Sequence, residues 1–195
     1  MIGPVLTRTL PPPPVNRREI LRYMGASEGD PSLNALAERA ISISEGCFVY
    51  RVCYRELDLT EEPIIGWLSA SDTVRRALVG CDRAVLFAAT VGLGIDRLIL
   101  AHGHTEPSLA LCLQAYGAER IEALCDDFCR AYGEEAGPCR PRISPGYGDF
   151  PLEAQRRLIP LLDGPRRIGL TLNESLLMSP TKSVTALFGH KEIRK

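Results

Sequence analysis

The densest run of chemically capable residues is Arg142-Ile143-Ser144-Pro145-Gly146-Tyr147-Gly148-Asp149-Phe150-Pro151. Arg142 offers a planar guanidinium fork that matches a carboxylate. Gly146 and Gly148 let the backbone come close to a ligand, and the N–H groups beside them can donate hydrogen bonds. Tyr147 adds a flat ring and one hydroxyl, and prolines 141, 145 and 151 stiffen the segment. A carboxylate fork, bare backbone donors and an aromatic plate suit an amino-acid or nucleoside-like ligand. The same composition also suits a proline-stiffened structural loop.

A second candidate run spans residues 170–184, where a strand-like stretch ends in Asn173-Glu174-Ser175 and Pro180 turns the chain into another strand. Glu174 and Ser175 are either site residues or groups that only hydrogen-bond the turn. A third, Thr90-Val91-Gly92-Leu93-Gly94-Ile95-Asp96-Arg97, follows an apolar stretch and opens a helical one, the setting of a phosphate-binding turn. Arg97 stands where the third glycine of that pattern belongs. The reading is therefore a tight strand-to-helix turn that needs two residues without Cβ, with a small-molecule site on the Gly92/Gly94 turn as the alternative. The seven cysteines (47, 53, 81, 112, 125, 129 and 139) show neither a C-x-x-C pair nor secreted spacing, so they read as small buried hydrophobes with no metal site. His102, His104 and His190 sit in no catalytic pattern and read as exposed or structural.

These residues need a scaffold. Residues 1–16 hold five prolines and read as an extended arm, with polyproline II character at 11–14. Helical spacing begins at Arg17 with Ile20, Leu21 and Met24, and Gly25 stops it. Residues 31–44 predict a helix capped by Asp30 with Pro31 at its first position. Two-residue alternation over 48–59 predicts a strand, with 64–68 as its antiparallel partner across Glu61-Glu62-Pro63. Residues 71–79 predict a short helix, and the apolar run 83–90 a strand buried on both faces. Residues 95–132 are helical with a break at Gly103 and Pro107, so 108–132 forms one long helix. A loop follows over 133–140, then a helix over 151–162 and strands over 166–172 and 183–188. Helices and strands do not alternate as a doubly wound sheet requires. The fold class is α+β: one domain over 17–195 with a twisted, mainly antiparallel sheet flanked by helices, plus the proline-rich arm over 1–16.

Composition excludes several classes. Lys plus Arg total 23 against 24 Asp plus Glu, for a net charge of −1, which removes a bulk basic surface for nucleic acid. No apolar run approaches the ~20 residues that span a bilayer, and the first residues lack a signal-peptide pattern, so a cytoplasmic protein is expected.

The loop at 142–151 and the turn at 172–184, in this order, resemble the activation (reactivation) domain of cobalamin-dependent methionine synthase. The shared pattern reads Arg142, Gly146-Tyr147, Leu172-Asn173-Glu174-Ser175, Met178, Pro180 and Ser183-Val184. The preceding helix, Ala118-Glu119-Arg120-Ile121-Glu122-Ala123-Leu124, is similar to the helix before that family's glycine-tyrosine loop, and 87–95 resembles its short stand-alone members. The resemblance covers roughly 65–190.

The resemblance implies a stand-alone reactivation factor that binds S-adenosylmethionine. It would support reductive methylation of cob(II)alamin on a partner cobalamin-dependent methionine synthase lacking its own such domain, and hence methionine biosynthesis. A flavodoxin- or ferredoxin-type protein would supply the electron, and no nucleic acid or membrane is involved. It implies adenosylmethionine contacts from Arg142 to the carboxylate, from Ser144, Gly146 and Tyr147 in the loop, and from Glu122 as the acidic ligand, with Glu119 the nearby choice. Glu174 and Ser175 would form a site turn. No Asp-x-His-x-x-Gly signature occurs, so the lower cobalt ligand is not expected from this chain. The alternative is a non-catalytic adenosylmethionine-binding or corrinoid-docking accessory protein for another corrinoid methyltransferase.

Overall fold

The computed structural model describes residues 3–26, 29–60 and 66–191. Four strands form one antiparallel sheet: β1 (Leu6–Thr9), β2 (Arg51–Asp58), β3 (Arg83–Thr90) and β6 (Ser183–His190), in the order β1-β2-β3-β6. A two-residue period sends alternate side chains to opposite faces, and both faces here are covered. Val52, Tyr54, Val85, Phe87, Ala89, Ala186 and Phe188 point one way into a core shared with α1 (Arg17–Tyr23), α2 (Pro31–Ile43) and the long helix α5 (Pro107–Ala136). Cys53, Leu57, Leu86, Ala88 and Leu187 point the other way. They meet Val74 of α3 (Asp72–Ala77), Leu158 and Ile159 of α6 (Gln155–Leu161), and Ile168 of α7 (Gly164–Ile168). The result is helices, sheet, helices: the α+β class that the sequence predicts, with β3 buried on both sides as its unbroken apolar run requires.

The helix signals act as read. Asp30 accepts from the Ser32 N–H at 2.8 Å with Pro31 in the first turn of α2, and Ser71 accepts from the Val74 N–H at 3.2 Å to start α3. The Gly92/Gly94 turn is steric. Gly92 has φ +82°, and a Cβ on Gly94, the first residue of α4 (Gly94–His102), would lie 2.1 Å from the Cys47 carbonyl oxygen. The proline arm joins the body. Its residues 6–9 are β1, and the Arg120 guanidinium donates to the carbonyls of Pro13 at 2.6 Å and Pro14 at 2.7 Å.

Four expectations need correction. Of the predicted partner strand at 64–68, residues 64 and 65 and the turn at 61–63 lie outside the described residues, while 66–68 are helical. The neighbours of β2 are β1 and β3, so the arm supplies the strand expected from 64–68. Residues 166–172 are mostly not a strand. Pro165 starts α7 and Gly169, at φ +72°, stops it, leaving Thr171–Leu172 as β4, which pairs with β5 (Met178–Ser179). The expected loop at 133–140 begins later, because α5 runs through Gly133 to Ala136. Tyr132 is buried and Glu135 holds the Arg8 fork at 2.8 and 2.6 Å, which anchors the last turn. The helix expected at 151–162 divides into a 3₁₀ turn (Leu152–Ala154) and α6. No helix among the described residues is long and apolar enough to cross a membrane.

Candidate functional site

Arg142 owes its place to backbone pairing that a loop reading misses. After α5 the chain runs antiparallel to β6: the Arg140 N–H donates to the Gly189 carbonyl at 2.8 Å, and Ile143 and Leu187 exchange N–H···O bonds at 2.9 Å. Ile143 turns its side chain into the second core, and Arg142, one residue earlier, faces the opposite way, onto α5. There its fork is engaged at both ends, by Asp126 and by Glu122 at 2.6 Å. Beneath it lie Cys125 and Cys129. Burial pushes the Cys125 thiol well up and that of Cys129 up to about 11, so both are neutral at physiological pH. Burial also works against the Arg142 charge, but hydrogen bonds to Asp126 and Glu122 outweigh it and hold the group above its ordinary value.

The following loop closes on itself. The Gly146 N–H donates to the Phe150 carbonyl at 2.7 Å and the Tyr147 N–H to the Ser144 carbonyl at 3.1 Å. The backbone donors expected to be bare at these two positions are therefore occupied inside the loop. Gly146 has φ +93° and Gly148 φ +60°, where L side chains are strained. A Cβ on Gly148 would come within 2.4 Å of the Thr73 hydroxyl. That glycine serves a protein contact rather than a ligand approach. Asp149 explains why. Its carboxylate accepts from the Ser71 hydroxyl at 2.7 Å and from the N–H groups of Asp72 at 2.7 Å and Thr73 at 2.9 Å. The loop is thereby fastened to the start of α3. Hydrogen bonds from the Thr73 and Ser71 side chains, and then from the Thr73 backbone, lower the Asp149 carboxyl to about 2.

Three hollows adjoin through shared lining residues, and Arg142 lines the central one. The central one, about 400 Å³, is lined by Glu122, Pro141, Arg142, Ile143, Ser144 and Tyr147. A second, about 420 Å³, shares Glu122 and lies between α5, the start of α1 and the proline arm, with Glu19, Glu119, Asp126 and Asp127 on its walls. A third, about 380 Å³, shares Pro141, Ile143 and Tyr147 and adds Thr73, Arg76 and Arg140. The groove is thus acidic at one end and basic at the other, with the 67% exposed Tyr147 ring between its central and basic hollows.

Of the residues singled out from sequence, Glu122, Arg142, Ser144 and Tyr147 share one hollow, and Gly146 shapes the turn beside it. Glu119 lines the acidic hollow but is bound up in a buried pair with Arg120, and it also accepts from the Asn16 N–H at 2.9 Å. Glu174 and Ser175 line none of the three hollows and are exposed at the tip of the β4–β5 hairpin, where Arg156 donates to the Glu174 carbonyl at 2.6 Å. Asn173, not these two, holds that turn, accepting from the Leu177 N–H at 2.9 Å. Sequence reasoning missed Asp126 and Asp149. The i, i+4 spacing of Glu122 and Asp126 on a helix was the available signal for the first.

Among the described residues no group of three His, Cys, Asp or Glu is arranged to hold a metal ion. The fold and groove define a three-layer α+β domain with a charged surface cleft beside the middle of its long helix. No family model and no curated protein matches the chain. Among solved structures it is similar to a crystal structure of the MetH reactivation domain bound to AdoHcy, with TM-score 0.66, 15% identity, 99% of this chain covered and 80% of that one. At that identity the likeness establishes the shared fold.

Proposed function

We propose that the groove binds S-adenosylmethionine, and that the chain supports reductive methylation of cob(II)alamin held by a partner cobalamin-dependent methionine synthase. The observation that carries this reading is the meeting of Glu122, Arg142, Ser144 and Tyr147 around one hollow of about 400 Å³. It is supported by a fold similar to a domain solved with AdoHcy. Arg142 would receive the ligand carboxylate, exchanging it for one of its two carboxylate partners. Glu122 and Asp126, one of them released from the fork, would face the ligand's cationic centres. The exposed Tyr147 ring would present the methyl end outward to the partner.

The corrinoid, carried by the partner, supplies the acceptor for the methyl group once a flavodoxin- or ferredoxin-type protein has delivered one electron. The sulfur–methyl bond would break with its electron pair left on sulfur, giving the neutral thioether, while the reduced corrinoid would supply the pair for the new bond to the methyl group. The chain's own residues perform no proton transfer; they bind, orient and exclude water. The reading is tested by mixing this chain, a corrinoid partner, reductant and S-adenosylmethionine. The visible spectrum is expected to change from cob(II)alamin to methylcobalamin only when all four are present. The same rate without this chain would remove the reading.

A further inference from the structure

We infer that the groove prefers a sulfonium to the neutral thioether that remains after methyl transfer, and that Asp126 sets this preference. The inference rests on the reading that the groove takes S-adenosylmethionine, and it deepens that reading by naming what the groove discriminates.

The argument is a charge count. Five carboxylates line the acidic hollow: Glu19, Glu119, Glu122, Asp126 and Asp127. Three are paired with arginines that line neither this hollow nor the central one: Glu19 with Arg22 at 2.7 Å, Glu119 with Arg120, and Asp127 with Arg130 at 3.3 Å. The other two, Glu122 and Asp126, share the single guanidinium of Arg142. At least one negative charge is left over at the junction of the two hollows, because Arg130 also holds Glu134 at 2.9 Å and covers Asp127 only in part.

S-adenosylmethionine carries an ammonium, a sulfonium and one carboxylate, the mirror of two carboxylates and one guanidinium. The thioether product has one charge of each sign and leaves the surplus carboxylate without a counterpart. The same count disfavours a phosphate group at the acidic end of the groove. Asp126 is the residue to vary. It lines the acidic hollow but not the central one, and its side chain is 69% exposed, so neutralising it removes charge without disturbing the core. Glu122 remains on Arg142 in that variant.

Calorimetric titration of the full chain with S-adenosylmethionine and with S-adenosylhomocysteine tests this, for the wild type and Asp126→Asn. The wild type is expected to bind the sulfonium roughly threefold to fivefold more tightly, a margin of the size seen for exposed ion pairs, shrinking as salt rises from about 0.1 to 0.5 M. Asp126→Asn is expected to weaken sulfonium binding by about that factor and change thioether binding less than twofold. Equal affinities in the wild type, or equal losses for both ligands in the variant, overturn the inference while leaving the binding reading intact. A wild type that binds neither ligand overturns both.

Discussion

Arg142 is the residue on which the site turns, and its environment makes a clear prediction. Arg142→Ala removes the fork and leaves Glu122 and Asp126 facing each other. S-adenosylmethionine binding is expected to weaken by about 1.5–3 kcal/mol, the worth of a hydrogen bond to a charged group, and calorimetry measures it. Tyr147 behaves differently. With 67% of its surface exposed it adds little to the core, so Tyr147→Ala is expected to change stability by no more than about 0.5 kcal/mol while slowing reactivation of the partner. A melting curve and a spectral rate separate the two effects.

Asp149 works at the same scale, but through geometry. Its carboxyl lies at about 2, below the ordinary 3.8, because the folded state supplies donors. A carboxyl depressed on folding contributes above its ordinary value, and that contribution is lost as pH falls toward about 2. Asp149→Asn turns one acceptor into a donor facing N–H groups. Hydrogen exchange over 144–150 is expected to rise at neutral pH while exchange in the buried middle of α5 stays unchanged. Unchanged exchange in the loop would show that the fastening is dispensable.

At the scale of elements, α5 organises the molecule. Phe128 on its inward face meets Phe87, Tyr54, Phe188 and Tyr132 at ring-centroid distances of 5.0, 5.2, 6.2 and 6.3 Å. Phe128→Ala is expected to cost about 3–5 kcal/mol in denaturant unfolding, from lost transfer energy plus the cavity left behind. The edge of the helix turned to the groove carries Glu119, Glu122 and Asp126, so the core contact and the groove share one rigid element. This division was partly legible in the sequence. The stripe of Leu109, Cys112, Leu113, Tyr116, Ile121, Leu124, Cys125 and Phe128 marks a long helix by periodicity alone, and the apolar run 84–89 marks a strand buried on both faces.

What was not legible depends on contacts far apart along the chain. Residues 166–172 look strand-like until Pro165 and Gly169 are weighed as helix start and stop. That the arm takes the sheet edge beside β2 cannot be read from either segment alone, because Leu6 pairs with Tyr54. The candidate site divides in the same way. Arg142 and Tyr147 announce themselves by type and spacing. Asp126 lies 16 residues from Arg142, and Asp149 lies 78 from Ser71, so their roles appear only once α5, the segment beside β6 and the start of α3 are packed together.

At the scale of the whole molecule, two helical layers enclose one sheet, and the groove opens where the proline arm, α5 and the segment beside β6 meet. The arm is structural there: Pro13, Pro14 and Asn16 wall the acidic hollow, and Arg120 clamps the first two. Arg120→Ala is expected to leave Glu119 buried without its partner, cost about 3–5 kcal/mol and loosen the arm; denaturant unfolding and hydrogen exchange over residues 10–16 check both. The central claim is that this groove holds the methyl donor, and a crystal grown with S-adenosylmethionine tests it most directly. The account predicts the ligand in the groove, with its carboxylate on Arg142 and its cationic centres toward Glu122 and Asp126. A ligand bound elsewhere, or a groove that stays closed by the Glu122–Arg142–Asp126 pairing at saturating ligand, would contradict it.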